Sequence, residues 1–448
     1  MIHKFMLGGL KIVLDVESGS IHVVDDLAYE GITLLEAGIP LYALGDALRH
    51  KYNAAAVKEV VEELRCLINN NLLFSSPAGG NVLKPPEFAV KSLCLNVAHA
   101  CNLSCRYCFA GQGSFAGESS LMSREVGFKA IDFLLEKSGK RRNVELDFFG
   151  GEPLLNFPVI KAVTEYGEKK ATAAGKKIKY TVTTNATELA GEKAAYFQEK
   201  NFCVVLSLDG RKEVNDYMRP YRDGRGSFST IEPNMLRFLE ERNHENYYVR
   251  GTYTSFNLDF SNDVAFLAGR GFKSISLEPV VGGEECEYSL KMEHLPQLAE
   301  EYEKVAELYL SYKNTPRAFK FFHFNFDLEA GPCLVKRIKG CGAGTDYAAV
   351  TPAGDIYPCH QFVGKEDFKL GKLGGELNEA LIQEFGRANV FNKEKCSSCW
   401  ARYYCGGGCL ANAYNKNGDI NKNDELGCEL ERKRLECAIY IKAKERMG

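Results

Sequence analysis

Sixteen cysteines in a chain of 448 residues constrain this sequence more than any other feature. Seven of them lie between residues 341 and 428, and three more fall within eight residues at 101–108. No secretory segment is expected to precede them. The apolar start is broken by Lys4, Lys11 and Asp15, and no run of 18 apolar residues occurs. The sequence therefore predicts a cytoplasmic chain, in whose reducing surroundings such a load means metal or redox chemistry rather than disulfides. A net charge of -3, with 45% hydrophobic and 26% charged residues, gives no basic excess for nucleic acid and no segment for a membrane. A small or peptidic partner is expected.

Pattern and punctuation divide the chain into three. Residues 1–80 predict a winged-helix-like module, with a hairpin over 11–16 and 21–24 and helices near 27–37, 41–52 and 54–70. Six Lys/Arg against ten Asp/Glu in this stretch is the wrong sign for a phosphate backbone. A Ser-Pro-Gly linker follows. Over 90–320, short apolar strands at 92–98, 144–149, 179–184, 203–208, 247–254 and 274–279 alternate with helical segments, which predicts an α/β architecture, a partial (β/α)6 barrel. Residues 330–448 hold so many Gly, Cys and polar turns that metal cross-links are expected to stand in for a core, with a closing helix at 424–446.

Cys101, Cys105 and Cys108 follow the first barrel strand, on what must be a loop. Structural zinc wants four ligands, whereas three thiolates around a four-iron cluster leave one iron open to a ligand. A zinc site with a distant fourth ligand is the alternative at this point.

This loop resembles the Cys-x3-Cys-x2-Cys loop of the radical S-adenosylmethionine (SAM) superfamily, with Tyr107 before the third cysteine. The likeness continues along the barrel in Gly150-Gly151-Glu152-Pro153, Thr183-Thr184-Asn185, Ser207-Leu208-Asp209-Gly210 and Asp216-Tyr217-Met218-Arg219-Pro220. It implies that Cys101, Cys105 and Cys108 hold a 4Fe-4S cluster whose open iron binds SAM. It further implies that Tyr107 belongs to the site and that Gly150, Gly151 and Glu152 meet the methionyl amino group. Thr184, Asn185 and Ser207 would line the ribose and carboxylate side, and Arg219 would take the carboxylate.

The C-terminal array resembles, cysteine for cysteine, the iron-sulfur SPASM domain appended to radical SAM enzymes that modify peptides and proteins. By that resemblance Cys396, Cys399, Cys405 and Cys428 hold a distal cluster and Cys341, Cys359 and Cys409 a nearer one, making three 4Fe-4S clusters in all. Two zinc ribbons are the alternative reading of the spacing. Cys333 is either a fourth ligand or leaves an iron open for a substrate thiol. Cys66, Cys94, Cys203 and Cys437 are expected in packing, and Cys286 in a loop at the barrel mouth.

Taken whole, the chain resembles the maturases of six-cysteines-in-forty-five-residues peptides. That implies thioether formation, of the sactipeptide or ranthipeptide kind, in a Cys-rich precursor peptide. Its leader would add a strand to the N-terminal module, and electrons would come from an external donor such as flavodoxin or ferredoxin. Another radical oxidation, such as formylglycine formation, and a non-catalytic metal-binding peptide scaffold are the alternatives.

Overall fold

Gly8 and Gly9, both at positive φ (+53° and +77°), turn the chain in the two-residue manner that matches the twist of paired strands. They join β1 (Ile2–Leu7) to β2 (Leu10–Asp15), and β3 (Ile21–Val24) completes an antiparallel sheet in the order β1-β2-β3. The hairpin expected at 11–16 and 21–24 is present, and β1 is an addition to it. Helices Asp26–Glu36, Leu41–Leu48 and Ala54–Asn69 bury Leu27, Ile32, Leu44, Val57 and Leu64 against Val13 of this sheet. The structure is a computed structural model and describes residues 1–76, 88–115, 117–283, 285–328 and 338–447. Among these, no helix is long and apolar enough to cross a membrane.

Beyond the first module, β4 (Ser92–His99) carries a short antiparallel β5 (Ser120–Leu121) at its end. Then come β6 (Asn143–Gly150), β7 (Lys177–Thr184), β8 (Cys203–Ser207), β9 (Tyr247–Tyr253), β10 (Ser274–Pro279) and β11 (Lys320–Phe321). From β4 through β6 to β11 every neighbour is parallel and in chain order, so the six expected strands form the partial barrel. Along β6, Val144, Leu146 and Phe148 are fully buried on the helix-covered face, while Glu145, Asp147 and Phe149 between them are half-buried. Because side chains alternate, the second set lines the lumen. Register places Thr181, Cys203, Ser207, Arg250, Ser276 and Glu278 on the same face. This lumen is polar, unlike the packed interior of a closed eight-stranded barrel.

The C-terminal part does not replace its core with cross-links, as its composition suggested. β12 (Tyr347–Val350) pairs in parallel with β4, and β13 (Asp355–Tyr357) and β14 (Gly371–Lys372) extend the barrel sheet past its first strand. Phe362, Phe368 and Phe385 then pack together, with Tyr414 against them. Sharing a sheet with the barrel supplies the buried area that composition alone could not promise. The last helix, Glu425–Met447, packs on Leu295–Tyr312 and on β1.

Contacts distant in sequence seat the first module on the last. His3 stacks on Trp400 with ring centroids 3.6 Å apart and lies 3.1 Å from Glu436. Glu17 accepts hydrogen bonds from Arg402 and from Tyr403 (3.2 Å), with Glu17 8% and Arg402 9% exposed. Removing one partner of a buried pair strands the other charge. Glu17→Ala should therefore cost about 3–5 kcal/mol, read as faster hydrogen exchange in β1, β2 and residues 396–405. Exchange unchanged from wild type would show that the pair does not hold the module in place.

Candidate functional site

Two glycines shape the mouth of the barrel. A Cβ on Gly150, at φ +135°, would meet the Ala98 carbonyl oxygen at 2.3 Å, and one on Gly151 would meet that of Ala100 at 2.3 Å. The Gly151 and Glu152 N–H groups donate to these same oxygens, each at 2.8 Å. The end of β6 thus fits against the end of β4 only without side chains, and the cysteine loop departs from that junction.

The loop is tied on two further sides. Ser104 N donates to Pro220 O (2.8 Å), Arg106 N to Met218 O (2.9 Å) and Arg222 Nε to Cys101 O (2.9 Å). At the end of β7, Asn185 Nδ2 donates to Asn102 Oδ1 (2.8 Å) and stands 3.8 Å from Cys101 Sγ. Asn185 is itself placed by Glu152. That fully buried carboxylate accepts from Thr184 Oγ1 (2.7 Å), Asn185 N (2.7 Å) and Leu154 N (3.0 Å). Burial pushes the Glu152 carboxyl up to about 7, against these donors. Glu152, Thr184 and Asn185 therefore form one network beside Cys101. Ser207 is half-buried at the end of β8.

Tyr107 points under the loop. Its hydroxyl donates to Asp209, 2.7 Å from Oδ2, and accepts from Arg219 Nη1 at 2.8 Å. Asp209, fully buried, also accepts from Thr252 N (3.0 Å) and lies 3.8 Å from Arg219. Arg219, expected to take a carboxylate, has a guanidinium 8% exposed that engages Tyr107 and Asp209 and so also supports the loop. Asp209 was legible only as part of Ser-Leu-Asp-Gly, where a turn role hides a structural anion.

Two of the loop thiols are raised by their surroundings. Burial, and then the charges of Glu152 and Cys108, push Cys101 up to about 11; burial pushes Cys105 up to about 12, partly offset by Arg219. Metal takes thiols as thiolates, so a metal at Cys101 and Cys105 would have to offset the burial that raises them. In the C-terminal part Cys396, Cys399, Cys405 and Cys428 line one cavity of about 310 Å³ with Arg402, Asn423 and Arg432. Asn423 Nδ2 donates to Cys396 Sγ at 3.1 Å and lies 3.7 Å from Cys428 Sγ. Cys341 and Cys409 line a second cavity, of about 530 Å³, which Cys405 and Cys428 also border. Cys359 is pushed up to about 12 by burial and then by Cys409 and Cys341. Cys396, Cys399, Cys405 and Cys428 thus line one cavity and Cys341 and Cys409 another, with Cys359 electrostatically close to the latter pair. The described cysteines are all free thiols, and among the described residues no group closes around a single ion. Cys333 lies outside the described residues.

Of the others, Cys94 and Cys437 are fully buried as expected, Cys203 faces the polar lumen, and Cys66 is exposed on its helix rather than packed. Not foreseen are an aromatic bridge and a lumen cluster. Phe149 and Phe109 stack, and both rings approach His360, which follows Cys359, at 5.0 and 5.8 Å. Glu278 lies 3.2 Å from His323, and Arg250 shares their cavity. Burial raises the Glu278 carboxyl, but His323, Arg250 and Arg434 outweigh it and hold the group well below the usual range. A lone arginine inside an otherwise apolar and small-residue strand was the available signal.

Residues 92–230 match the family model of a 4Fe-4S single cluster domain. Over 372 residues the chain is 24% identical to the radical SAM cyclopropyl synthase TigE of Paramaledivibacter caminithermalis, covering 76% of this chain and 72% of that one. It is 31% identical over 194 residues to a Methanocaldococcus jannaschii protein, 42% of this chain but only 62% of that relative's length. Among solved structures, anSMEcpe with bound AdoMet superposes with a TM-score of 0.68 at 22% identity, over 80% of this chain and 95% of that one. Streptococcus suis SuiB bound to S-adenosylmethionine gives 0.55 at 17%, over 95% and 98%. The chain is a homologue of the radical SAM/SPASM-type maturases.

Removing the buried anion tests the support of the loop. Asp209→Ala leaves Tyr107, Thr252 N and Arg219 without their acceptor and should destabilise the protein by about 3 kcal/mol; Asp209→Asn, which keeps an acceptor, should cost less. Thermal unfolding of both variants checks the order, and equal losses would deny the ion its role.

Proposed function

We propose that this chain is a radical SAM oxidoreductase that joins a cysteine sulfur to a carbon of another residue within a ribosomally made, Cys-rich peptide. The observation that carries the reading is the gathering of cysteines at three places: Cys101, Cys105 and Cys108 at the barrel mouth, Cys396, Cys399, Cys405 and Cys428 around one C-terminal cavity, and Cys341 and Cys409 around another with Cys359 near them. Cys101, Cys105 and Cys108 would hold the SAM-binding cluster, and the other seven the auxiliary pair. When bound, cluster and SAM supply one-electron cleavage of the sulfonium and hydrogen abstraction from an unactivated C–H.

The chain's own residues set the conditions. Glu152, Thr184 and Asn185 orient the loop beside Cys101. Tyr107, Asp209 and Arg219 hold its underside rigid, and the enclosed lumen keeps the target C–H in place and water away. Turning S–H and C–H into C–S removes two electrons and two protons from the peptide. One electron leaves with the abstracted hydrogen atom, and the auxiliary cysteine sets suit the holding of an acceptor for the other.

A peptide substrate agrees with the acidic first module, whose β3 is an open sheet edge fit for strand addition. SuiB, similar over 95% of this chain with a TM-score of 0.53, has been solved bound to the precursor peptide SuiA. Formylglycine formation is the second reading, favoured by the likeness to sulfatase-maturating enzymes, 26% identical for that of Clostridium novyi.

Mass spectrometry of the Cys-rich peptide encoded beside this gene, after anaerobic reaction with SAM and a reductant or flavodoxin, tests the proposal. Loss of two hydrogens with a protected cysteine is expected, whereas an aldehyde selects the second reading and an unchanged peptide sinks both. About twelve iron per chain is expected from three four-iron clusters, and zinc in their place selects a binding scaffold. Replacing Cys101, Cys105 and Cys108 by Ala should remove about a third of that iron and abolish 5'-deoxyadenosine formation. Deleting residues 1–80 should weaken binding of the full-length peptide, measured by fluorescence anisotropy, while uncoupled SAM cleavage continues.

A further inference from the structure

The cavity of about 530 Å³ between the barrel and the C-terminal part contains a cation with no hydrogen-bond partner among the described residues. Arg250 stands in β9, in register with Ser207 of β8 and Ser276 of β10, and is exposed toward this space. Among the described residues it makes no hydrogen bond or ion pair. Of the charged groups around it, Asp147 and Glu278 face it as countercharges without a hydrogen bond, and Asp424 borders the same cavity. Glu278 has His323 at 3.2 Å and Ser276 Oγ at 3.0 Å, Glu431 has Arg434 Nη1 at 3.2 Å, and Lys393 donates to Gly407 O at 3.0 Å. Arg434, 7% exposed, lines the same cavity; its Nε donates to Tyr302 at 2.8 Å, but its Nη2 is buried without a hydrogen-bond partner among the described residues.

A guanidinium with no hydrogen-bond partner among the described residues, flanked by Pro279, Val281 and Phe322, offers parallel N–H donors to an occupant of this cavity. The group that matches that fork is a carboxylate, through two parallel charge-assisted hydrogen bonds. We propose that Arg250, with the free Nη2 of Arg434, forms a carboxylate-binding subsite for an aspartate or glutamate side chain of the peptide substrate. The inference rests on the peptide-maturase reading above and extends it to what the substrate must carry.

Two carboxylates could answer this description, that of the peptide and that of SAM. Position favours the peptide. The cavity is bordered by Cys341 and Cys409, whereas Cys101, Glu152, Thr184 and Asn185, at the ends of β4, β6 and β7, take no part in its lining. An occupant of Arg250 therefore sits between the cysteine sets, where the residue to be modified has to lie.

The reconstituted holoenzyme, as wild type, Arg250→Gln and Arg250→Lys, is tested with the Cys-rich peptide encoded beside its gene. A panel of that peptide replaces each Asp by Asn and each Glu by Gln. Peptide kcat/KM, SAM affinity by equilibrium titration and thermal stability are measured together. Arg250→Gln should lose about 10- to 100-fold in kcat/KM, with Arg250→Lys in between, and with SAM affinity and stability unchanged. One acidic-to-amide peptide should cause a similar loss with the wild type but little further loss with Arg250→Gln. The subsite is overturned if SAM affinity falls with the peptide effect absent, which would give Arg250 to the cofactor. It is equally overturned if no peptide carboxylate matters, or if enzyme and peptide losses multiply. Wild-type enzyme that leaves every such peptide unmodified overturns the underlying reading as well, and the wild-type lane alone reveals that case.

Discussion

The close passage of β4 against Gly150 and Gly151 is the constraint on which the barrel mouth depends. Two carbonyl oxygens, of Ala98 and Ala100, occupy the space where side chains would stand and receive the N–H groups of Gly151 and Glu152. Because a Cβ at either glycine would collide with backbone, which cannot swing aside, this junction sets where the cysteine loop leaves the sheet. It also sets where Glu152 points, and through Glu152 the position of Asn185.

From that junction outward, the loop is held by buried polar groups that satisfy one another. Glu152 and Asp209 are both fully buried, yet each is surrounded by donors: hydroxyl, amide and backbone N–H for the first, phenol, backbone N–H and guanidinium for the second. Burial of a carboxylate is costly unless it is hydrogen-bonded. Once it is, the network rigidifies the segment it supports. A loop with three thiols that must meet one ligand needs such rigidity, since flexible thiols would lose entropy at every binding event.

The sheet has a second consequence. By continuing past β4 into β12, β13 and β14, it fixes the C-terminal cysteines relative to the lumen. The last helix and the Glu17–Arg402 contact bring the first module onto the same platform. Three stretches that composition separates into modules therefore share one scaffold, and the cavity lined by Arg250, Glu278, Cys341 and Cys409 exists only because they do.

The sequence by itself determined the strand-helix alternation of the barrel, the clustering of cysteines at 101–108 and 341–428, and the motifs at the strand ends. These are local signals: period, spacing and turn chemistry survive without knowledge of what packs where. Only the tertiary structure decided that β1 joins the first sheet, that the C-terminal part builds an aromatic core around Phe362 and Phe385, and that Cys66 is exposed. It also turned Arg219 inward and left Arg250 in the lumen without a hydrogen-bond partner among the described residues. The reason is the same in each case. Whether a charge is a strut or an open hand depends on which groups from distant parts of the chain stand within hydrogen-bond reach, and a spacing of residues along one strand carries no record of that distance.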